Sequence, residues 1–205
     1  MLIYLLKAWM MGLAVSVPVG PIGMLCIRKT LEFGFIGAIA VGLGAALADS
    51  VYGLIAATGL NLVSEFLLAK MAWIKILGGV FLLYLAYTEI KSSWADSSKT
   101  LIATDEVFKL VYKVFFLTLT NPMTILIFIG IFAGIGGATV SMLELLVMVA
   151  GVFLGSMTWW FILGFIIVKI KHKLPELWLD RIRYFSSFMF ASFGVFAILV
   201  GITSI

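Results

Sequence analysis

Residues 15–53 read VSVPVGPIGMLCIRKTLEFGFIGAIAVGLGAALADSVYG, and this stretch decides the fold class. Its first apolar run is interrupted by the sequence PVGP at residues 18–21. After Arg28-Lys29 a second apolar run follows, which is rich in Gly and Ala and carries one carboxylate, Asp49, near its centre. An interrupted apolar helix beside a buried acid is typical of membrane transport sites.

The composition of the whole chain agrees with a membrane protein. Of its 205 residues, 63% are hydrophobic and 12% are charged, and the mean hydropathy is +1.21. A soluble core of ordinary proportions cannot hide so much apolar surface. The formal charge of +4 does not indicate nucleic acid, because no basic patch with interleaved aromatic residues lies outside the apolar runs. The sequence therefore predicts an all-α integral membrane protein in a lipid bilayer.

Six apolar segments, each close to the about 20 residues that cross a bilayer as a helix, predict six transmembrane spans. The predicted spans are 8–27, 35–61, 71–90, 114–136, 144–168 and 184–204. A hydrophilic linker, whose end is a candidate for a short interfacial helix, separates two halves of three spans each. The predicted organisation is a first repeat at 1–90, a linker at 91–113 and a second repeat at 114–205.

The basic residues predict the orientation of the chain. If the N-terminus is outside, only Lys7, Lys70 and Lys75 of the 14 Lys and Arg residues fall on the outer side. Loops on the cytoplasmic side of a membrane protein carry an excess of Lys and Arg. We therefore expect both termini on the outer side.

Several residues of the first half have counterparts at corresponding places in the second half. The matched pairs are Pro21 and Pro122, Gly44 and Gly155, Gly53 and Gly164, and the tripeptides Gly79-Val80-Phe81 and Gly194-Val195-Phe196. Because each half has an odd number of spans, the second half enters the membrane in the opposite sense. The pattern predicts two inverted three-helix repeats, an architecture typical of secondary transporters.

Two proline-containing breaks occupy corresponding positions in spans 1 and 4. Pro18 and Pro21 lack a backbone N–H and clash with the preceding turn, while Gly20 permits a turn between them. Asn121-Pro122 is typical of a capping residue followed by the first position of a new helix. A single proline more often only kinks a membrane helix. Matched breaks favour two helix N-termini that bind a substrate carboxylate.

Asp49 is predicted to lie near the middle of span 2, where an acid that faces lipid costs about 2.5–3.5 kcal/mol. Small residues recur around it at helical spacing, so we expect it to face neighbouring helices. Burial favours a neutral carboxyl group and a bound ammonium group favours a carboxylate, which suits a group that exchanges a proton for substrate. The alternative is a structural acid that is hydrogen-bonded to a hydroxyl group, such as that of Ser50 or Thr158.

The predicted spans contain few other side chains with distinctive chemistry. Trp160 stands where the second half would carry the counterpart of Asp49, and with Trp159 it is a candidate for lining the pathway. Bulky packing is the alternative for at least one of these two tryptophans. A single central acid argues against a divalent metal site, and no cofactor is predicted. Cys26 is the only cysteine, which disfavours electron transfer through paired thiols.

Three groups of residues resemble the LysE/RhtB family of amino-acid exporters. They are the PVGP of residues 18–21 followed by Arg28, the run Gly34…Gly37…Gly42-Leu43-Gly44…Asp49, and Asn121-Pro122 at the start of span 4. The resemblance covers nearly the whole chain. It implies six spans in two repeats, a dimer, and proton-driven efflux of amino acids or similar small metabolites from a bacterial inner membrane.

Carried over residue by residue, the resemblance places the break of the first helix at Pro18, Gly20 and Pro21. It assigns the acid of the second helix to Asp49 and the break of the fourth to Asn121 and Pro122. Many relatives carry Asn just after the first break, where this chain has Ile22-Gly23. Export of lysine or arginine is therefore not assumed, and neutral amino acids or another metabolite stay open.

Two other classes of function stay open beside transport. A membrane thiol or electron carrier would need more than Cys26. A structural or regulatory membrane subunit would use its buried acid to bind a partner helix. We expect a transporter rather than an enzyme, because the spans lack the clustered His, Asp and Glu residues of an intramembrane hydrolase.

Overall fold

A computed structural model of the chain describes residues 1–17, 20–58, 61–91, 104–121, 124, 141–171 and 176–203, without the side chains of residues 56–58, 61–71, 89 and 176–179. All regular secondary structure in these ranges is helical, which confirms the predicted all-α class. The helices are α1 Leu2–Ser16, α2 Pro21–Phe33, α3 Phe35–Thr58, α4 Asn61–Lys91, α5 Thr104–Leu119, α6 Met142–Lys171 and α7 Glu176–Ile202.

Three stretches of the described helices are long and apolar enough to cross a membrane. They are Phe35–Ile55 in α3, Met142–Lys171 in α6 and Asp180–Ile202 in α7. These stretches coincide with the predicted spans 35–61, 144–168 and 184–204. A shorter apolar stretch, Ala72–Thr88 in α4, lies within the predicted span 71–90. Most of the predicted span 114–136 lies outside the described residues.

The segment predicted as span 1 forms two helices that meet at 82°. The first helix, α1, ends at Ser16, and α2 begins at Pro21. Proline is favoured at the first position of a helix, where a backbone N–H has no intrahelical partner to lose. The predicted break is therefore a change of helix direction rather than a kink within one span.

A glycine turns the chain between α2 and α3. Gly34 ends α2 with a φ of 68°, and α3 starts at the next residue. This left-handed conformation is accessible to glycine at little cost and strained for most other residues. The short turn places α2 against α3 in the folded chain.

Helix α5 begins before the predicted span 114–136. The N-terminus of α5 is at Thr104, inside the segment 91–113 predicted as a polar linker. Asp105 and Glu106 lie in its first turn, where negative charge favours a helix N-terminus. The helix ends at Leu119, before Asn121-Pro122. The residue before a proline is disfavoured in the helical conformation, which explains an end at this point.

Helices α1 and α5 each pack on a long helix that is distant in the sequence. The α1 helix packs along α6, α5 packs along α3, and α3 and α6 pack on each other. The matched glycines lie at these contacts. A Cβ added to Gly44 would lie 2.5 Å from the carbonyl oxygen of Val111 on α5, and one added to Gly155 would meet the carbonyl oxygen of Trp9 on α1.

Helices α4 and α7 pack on each other along their length. A Cβ added to Gly79 would lie 2.7 Å from the carbonyl oxygen of Gly194, and a Cβ added to Gly194 would lie 2.9 Å from that of Gly79. Small residues of this kind let membrane helices approach closely. Exposed apolar side chains such as Leu77, Phe188 and Leu199 cover the outside of this pair, as expected for a surface in contact with lipid.

Candidate functional site

Helix α3 places Asp49 inside the bundle. The side chain is only 3% exposed, and its neighbours Ala45, Ala46 and Ala48 are fully buried. These small side chains let α5 and α6 approach α3 closely, which removes Asp49 from lipid and from water. The inward orientation predicted from the small-residue face is present in the structure.

Two serine hydroxyl groups from different helices surround one oxygen of this carboxyl group. Ser156 Oγ on α6 donates to Asp49 Oδ2 at 2.7 Å. Ser16 Oγ, from the last residue of α1, lies 3.4 Å from the same oxygen and 2.9 Å from Ser156 Oγ. The cluster of Ser16, Asp49 and Ser156, here called the Asp49 cluster, therefore joins α1, α3 and α6.

The hydroxyl protons of the Asp49 cluster have more than one arrangement. Ser16 Oγ also lies 2.9 Å from the carbonyl oxygen of Gly12, and a serine hydroxyl donates only one proton at a time. Ser16 can therefore donate to the backbone, to Ser156 or to Asp49. A protonated Asp49 can donate to Ser156 in the same geometry. The cluster accommodates both the charged and the neutral carboxyl group without a shift of heavy atoms.

Trp160 supports this cluster from the second half of the chain. Its indole Nε1 donates to Ser156 Oγ at 3.2 Å, so the hydroxyl accepts from Trp160 while it donates to Asp49. The ring of Trp160 is buried and packs against Gly42, where an added Cβ would lie 2.6 Å from Trp160 Cβ. Trp159, in contrast, is half-buried and packs against the apolar core.

The first break exposes a backbone segment to which no described residue comes close. Gly20 precedes α2 in an extended conformation, with φ −112° and ψ −162° and no side-chain cap. Among the described residues, a Cβ added there would meet nothing within 4 Å, whereas Pro21 is fully buried. The first N–H groups of an α-helix have no intrahelical acceptor. The start of α2 thus presents the positive end of a helix at this segment; Pro18 lies outside the described residues.

The second break is held by helix α3. Tyr52 OH donates to the carbonyl oxygen of Leu119, the last residue of α5, at 2.6 Å. Asn121 is buried, and its backbone N–H donates to the carbonyl oxygen of Thr118 at 3.2 Å. The chain has left the helix at this point, as predicted. Pro122 lies outside the described residues.

The hydroxyl partners of Asp49 differ from those suggested by the sequence. Ser50 Oγ donates to the carbonyl oxygen of Ala46, and Thr158 Oγ1 donates to that of Leu154. Hydroxyl groups in a helix often bond to the carbonyl one turn back, which removes these two from the carboxyl group. Sequence reasoning missed Ser16 and Ser156. Ser16 lies just before the first break and Ser156 follows Gly155, and these positions were a signal in the sequence. Only folding, however, brings together these two residues, which are 140 positions apart.

The described part of the chain contains no group of three His, Cys, Asp or Glu side chains that could hold a metal ion. The chemistry available at the Asp49 cluster is therefore that of one carboxyl group and two hydroxyl groups. Such a set can hold or pass a proton and can accept a hydrogen bond from an ammonium group.

An all-helical chain with span-length apolar helices, an interrupted helix and a buried carboxyl group has the architecture of a membrane transporter. The chain belongs to the family of the LysE type translocators, whose family model matches residues 13–201. It is a bacterial multi-pass membrane transporter with a small-molecule substrate, and not an enzyme. The family predicted from the residue pattern is confirmed.

Curated relatives agree with this family. A Bacillus subtilis protein named putative amino acid efflux protein YcgF is 29% identical over 81% of this chain and 81% of its own. The chemotactic transduction protein ChpE of Pseudomonas aeruginosa is 24% identical over 90% of this chain and 91% of its own. An uncharacterized membrane protein of Escherichia coli, YahN, is 28% identical over 65% of this chain and 60% of its own. No solved structure matches.

Proposed function

We propose that this protein exports amino acids or similar small metabolites by proton antiport through a site between the two interrupted helices. Asp49 exchanges the proton, and the helix breaks bind the substrate. The observation that carries the proposal is the Asp49 cluster, because it puts an ionisable group inside the bundle at the end of the interrupted helix α1. The relative named as an amino acid efflux protein supports the substrate class.

The proton-coupling role follows from the setting of Asp49. A carboxyl group that is 3% exposed avoids charge unless a cation or hydrogen-bond donors compensate it. Ser156 supplies one such donor, and a substrate ammonium group would supply a full positive charge. Arrival of the substrate therefore favours loss of the proton, and arrival of a proton favours loss of the substrate. That alternation is the requirement of an antiporter.

The helix breaks suit the other end of an amino acid. The positive end of α2 at Gly20-Pro21 attracts a carboxylate, and no described residue lies within 4 Å of a Cβ added to Gly20. Pro18, Asn121 and Pro122 complete the proposed substrate site, with the buried Asn121 side chain at the second break. Trp160 orients Ser156 toward Asp49, and Trp159 is proposed to line the pathway where it is half-buried.

The proposed architecture is a pair of inverted repeats, 1–90 and 114–205, around the linker 91–113. The reciprocal packing of α1 on α6 and α5 on α3 supports it, as does the mutual contact of Gly79 and Gly194. Movement of one repeat against the other would expose the Asp49 cluster to each side in turn. The protein is proposed to lie in the inner membrane as a homodimer, with both termini outside, as the distribution of Lys and Arg favours.

The direct test is efflux from proteoliposomes under an imposed pH gradient, with a panel of radiolabelled amino acids as probes. Wild-type protein is expected to transport at least one member of the panel in exchange for protons. The Asp49→Asn variant keeps the size of the side chain but cannot ionise, and it should lose proton-driven efflux while remaining folded. Glu144→Gln is the matched control, because Glu144 is exposed and caps α6 together with Ser141.

Unchanged proton-driven efflux by Asp49→Asn would refute the assignment of Asp49. Failure of the wild-type protein to move any amino acid on the panel would refute amino acids as its substrates and restrict the proposal to other small metabolites. A normal result for Glu144→Gln is required in either case, since it separates the loss of a central acid from the loss of any acid.

A second candidate, a structural or regulatory membrane subunit, is favoured by one observation, the relative named as a chemotactic transduction protein. A subunit of this kind would use the exposed apolar faces of its helices to hold a partner. Deletion of the gene distinguishes the two functions. An exporter causes its substrate to accumulate in the deletion strain, whereas a scaffold causes the loss of a membrane complex without accumulation.

A further inference from the structure

Helix α3 carries a second polar group on the same face as Asp49. Tyr52 lies three residues further along the helix, and residues at this spacing are neighbours on a helix surface. Tyr52 is 4% exposed, so its hydroxyl group is removed from water together with the acid.

The hydroxyl group of Tyr52 bonds to the backbone at the second helix break. Its acceptor is the carbonyl oxygen of Leu119, the last residue of α5, at 2.6 Å. The last carbonyl groups of a helix lack intrahelical donors, so at this depth a side chain has to supply one. The short distance and the buried setting make this bond specific for one position of the end of α5.

Asp49 and Tyr52 of α3 thus each contact the last residue of a helix that ends at a break. Asp49 lies next to Ser16, the last residue of α1, and Tyr52 binds Leu119, the last residue of α5. Helix α4 packs closely against the end of α5 from another side, since a Cβ added to Gly78 would lie 2.5 Å from the carbonyl oxygen of Thr120. One face of one helix therefore fixes both breaks relative to the acid.

We infer that Tyr52 is a positioning residue for transport, which holds the end of α5, and with it Asn121, in register with Asp49. The inference rests on the proposed function, because it gives the second break a part in the substrate site. The role of Tyr52 is to keep the second break in place while the repeats move.

The first test needs no substrate. Cys26 is the only cysteine and is fully buried, so Cys26→Ala gives a background without thiols, and Thr120→Cys places a reporter next to Leu119. We expect Tyr52→Phe to speed the reaction of this reporter with a water-soluble maleimide about three- to tenfold, the loosening that one lost hydrogen bond allows. Tyr112→Phe is the control, because Tyr112 is on α5 and 66% exposed.

The second test uses efflux of the amino acid that the panel above selects. Tyr52→Phe should lower the maximal rate per folded molecule about three- to tenfold and change KM less than about twofold, because the variant misplaces the break but leaves the proposed contacts intact. A merely structural tyrosine would reduce the amount of folded protein and leave the rate per folded molecule unchanged.

Unchanged labelling of the reporter in Tyr52→Phe would overturn the inference, and so would faster labelling with an unchanged rate per folded molecule. These outcomes differ from failure of the proposed function. If Asp49→Asn keeps proton-driven efflux, the proton-coupling assignment fails, whereas the labelling result still decides whether Tyr52 positions the end of α5.

Discussion

Two of the interfaces between helices of this chain differ in their chemistry. The contact between α4 and α7 is a close approach of backbones at Gly79 and Gly194. A buried hydroxyl group at this contact, that of Ser187, donates to the carbonyl oxygen of Ala86 at 2.9 Å. The contact of α6 with α1 and α3 holds instead the carboxyl group of Asp49 and the hydroxyl groups bonded to it.

The first interface only holds two helices together, whereas the second also contains groups that can exchange a proton. A hydroxyl group bonded to a backbone carbonyl has one favourable arrangement, and it adds stability without a second state. A carboxyl group bonded to hydroxyl groups has several arrangements and two protonation states. We therefore expect substitutions between α4 and α7 to change only the amount of folded protein, and substitutions in the Asp49 cluster to change transport as well.

The largest expected loss of stability comes from the apolar interface. Gly79→Leu should lower the free energy of unfolding by about 3 kcal/mol, because its Cβ alone would lie within 2.7 Å of the carbonyl oxygen of Gly194. Reversible unfolding in mixed detergent micelles measures this change. Val80→Leu is the control, since Val80 is 54% exposed and should cost less than about 0.5 kcal/mol. Equal losses in the two variants would contradict the close packing.

A matched pair of serines tests the contrast between the interfaces directly. Ser156→Ala should cost about 1–2 kcal/mol of unfolding free energy, since it removes the 2.7 Å donor to Asp49. Ser187→Ala should cost about 1 kcal/mol by removing the bond to Ala86. Efflux per folded molecule should fall only in Ser156→Ala. Equal efflux by both variants would contradict the expected difference in function between the two interfaces.

The smallest expected effect is that of Trp160→Phe. The variant keeps an aromatic ring against Gly42 but loses the donor to Ser156, a bond of 3.2 Å that should contribute about 0.5–1 kcal/mol. Stability should therefore change little, while efflux per folded molecule should fall because Ser156 is less well oriented toward Asp49. Trp159→Phe is the comparison, since Trp159 packs on the apolar core. An equal effect of both variants on efflux would make Trp160 a packing residue only.

The helices that are long and apolar enough to cross a membrane were predictable because apolar length is a local property. Spans at 35–61, 144–168 and 184–204 coincide with described helices. Helix α5 begins at Thr104, before the predicted span 114–136, since hydropathy marks the apolar part of a helix and not its polar first turns. The sequence also indicated that the chain leaves the helix at PVGP, but not that α2 turns by 82°, because the angle depends on the helices packed on either side.

The candidate site, too, was predictable from the sequence only in part. The sequence alone identified Asp49 as the central acid and placed it on an inward face, because the cost of a charge in lipid leaves few other positions for it. It also indicated the family, through the glycines and prolines that local backbone geometry requires. Only the tertiary structure decided which hydroxyl groups bind Asp49 and that Tyr52 holds the end of α5. Those contacts join residues 33 to 107 positions apart, and no rule of local spacing connects them.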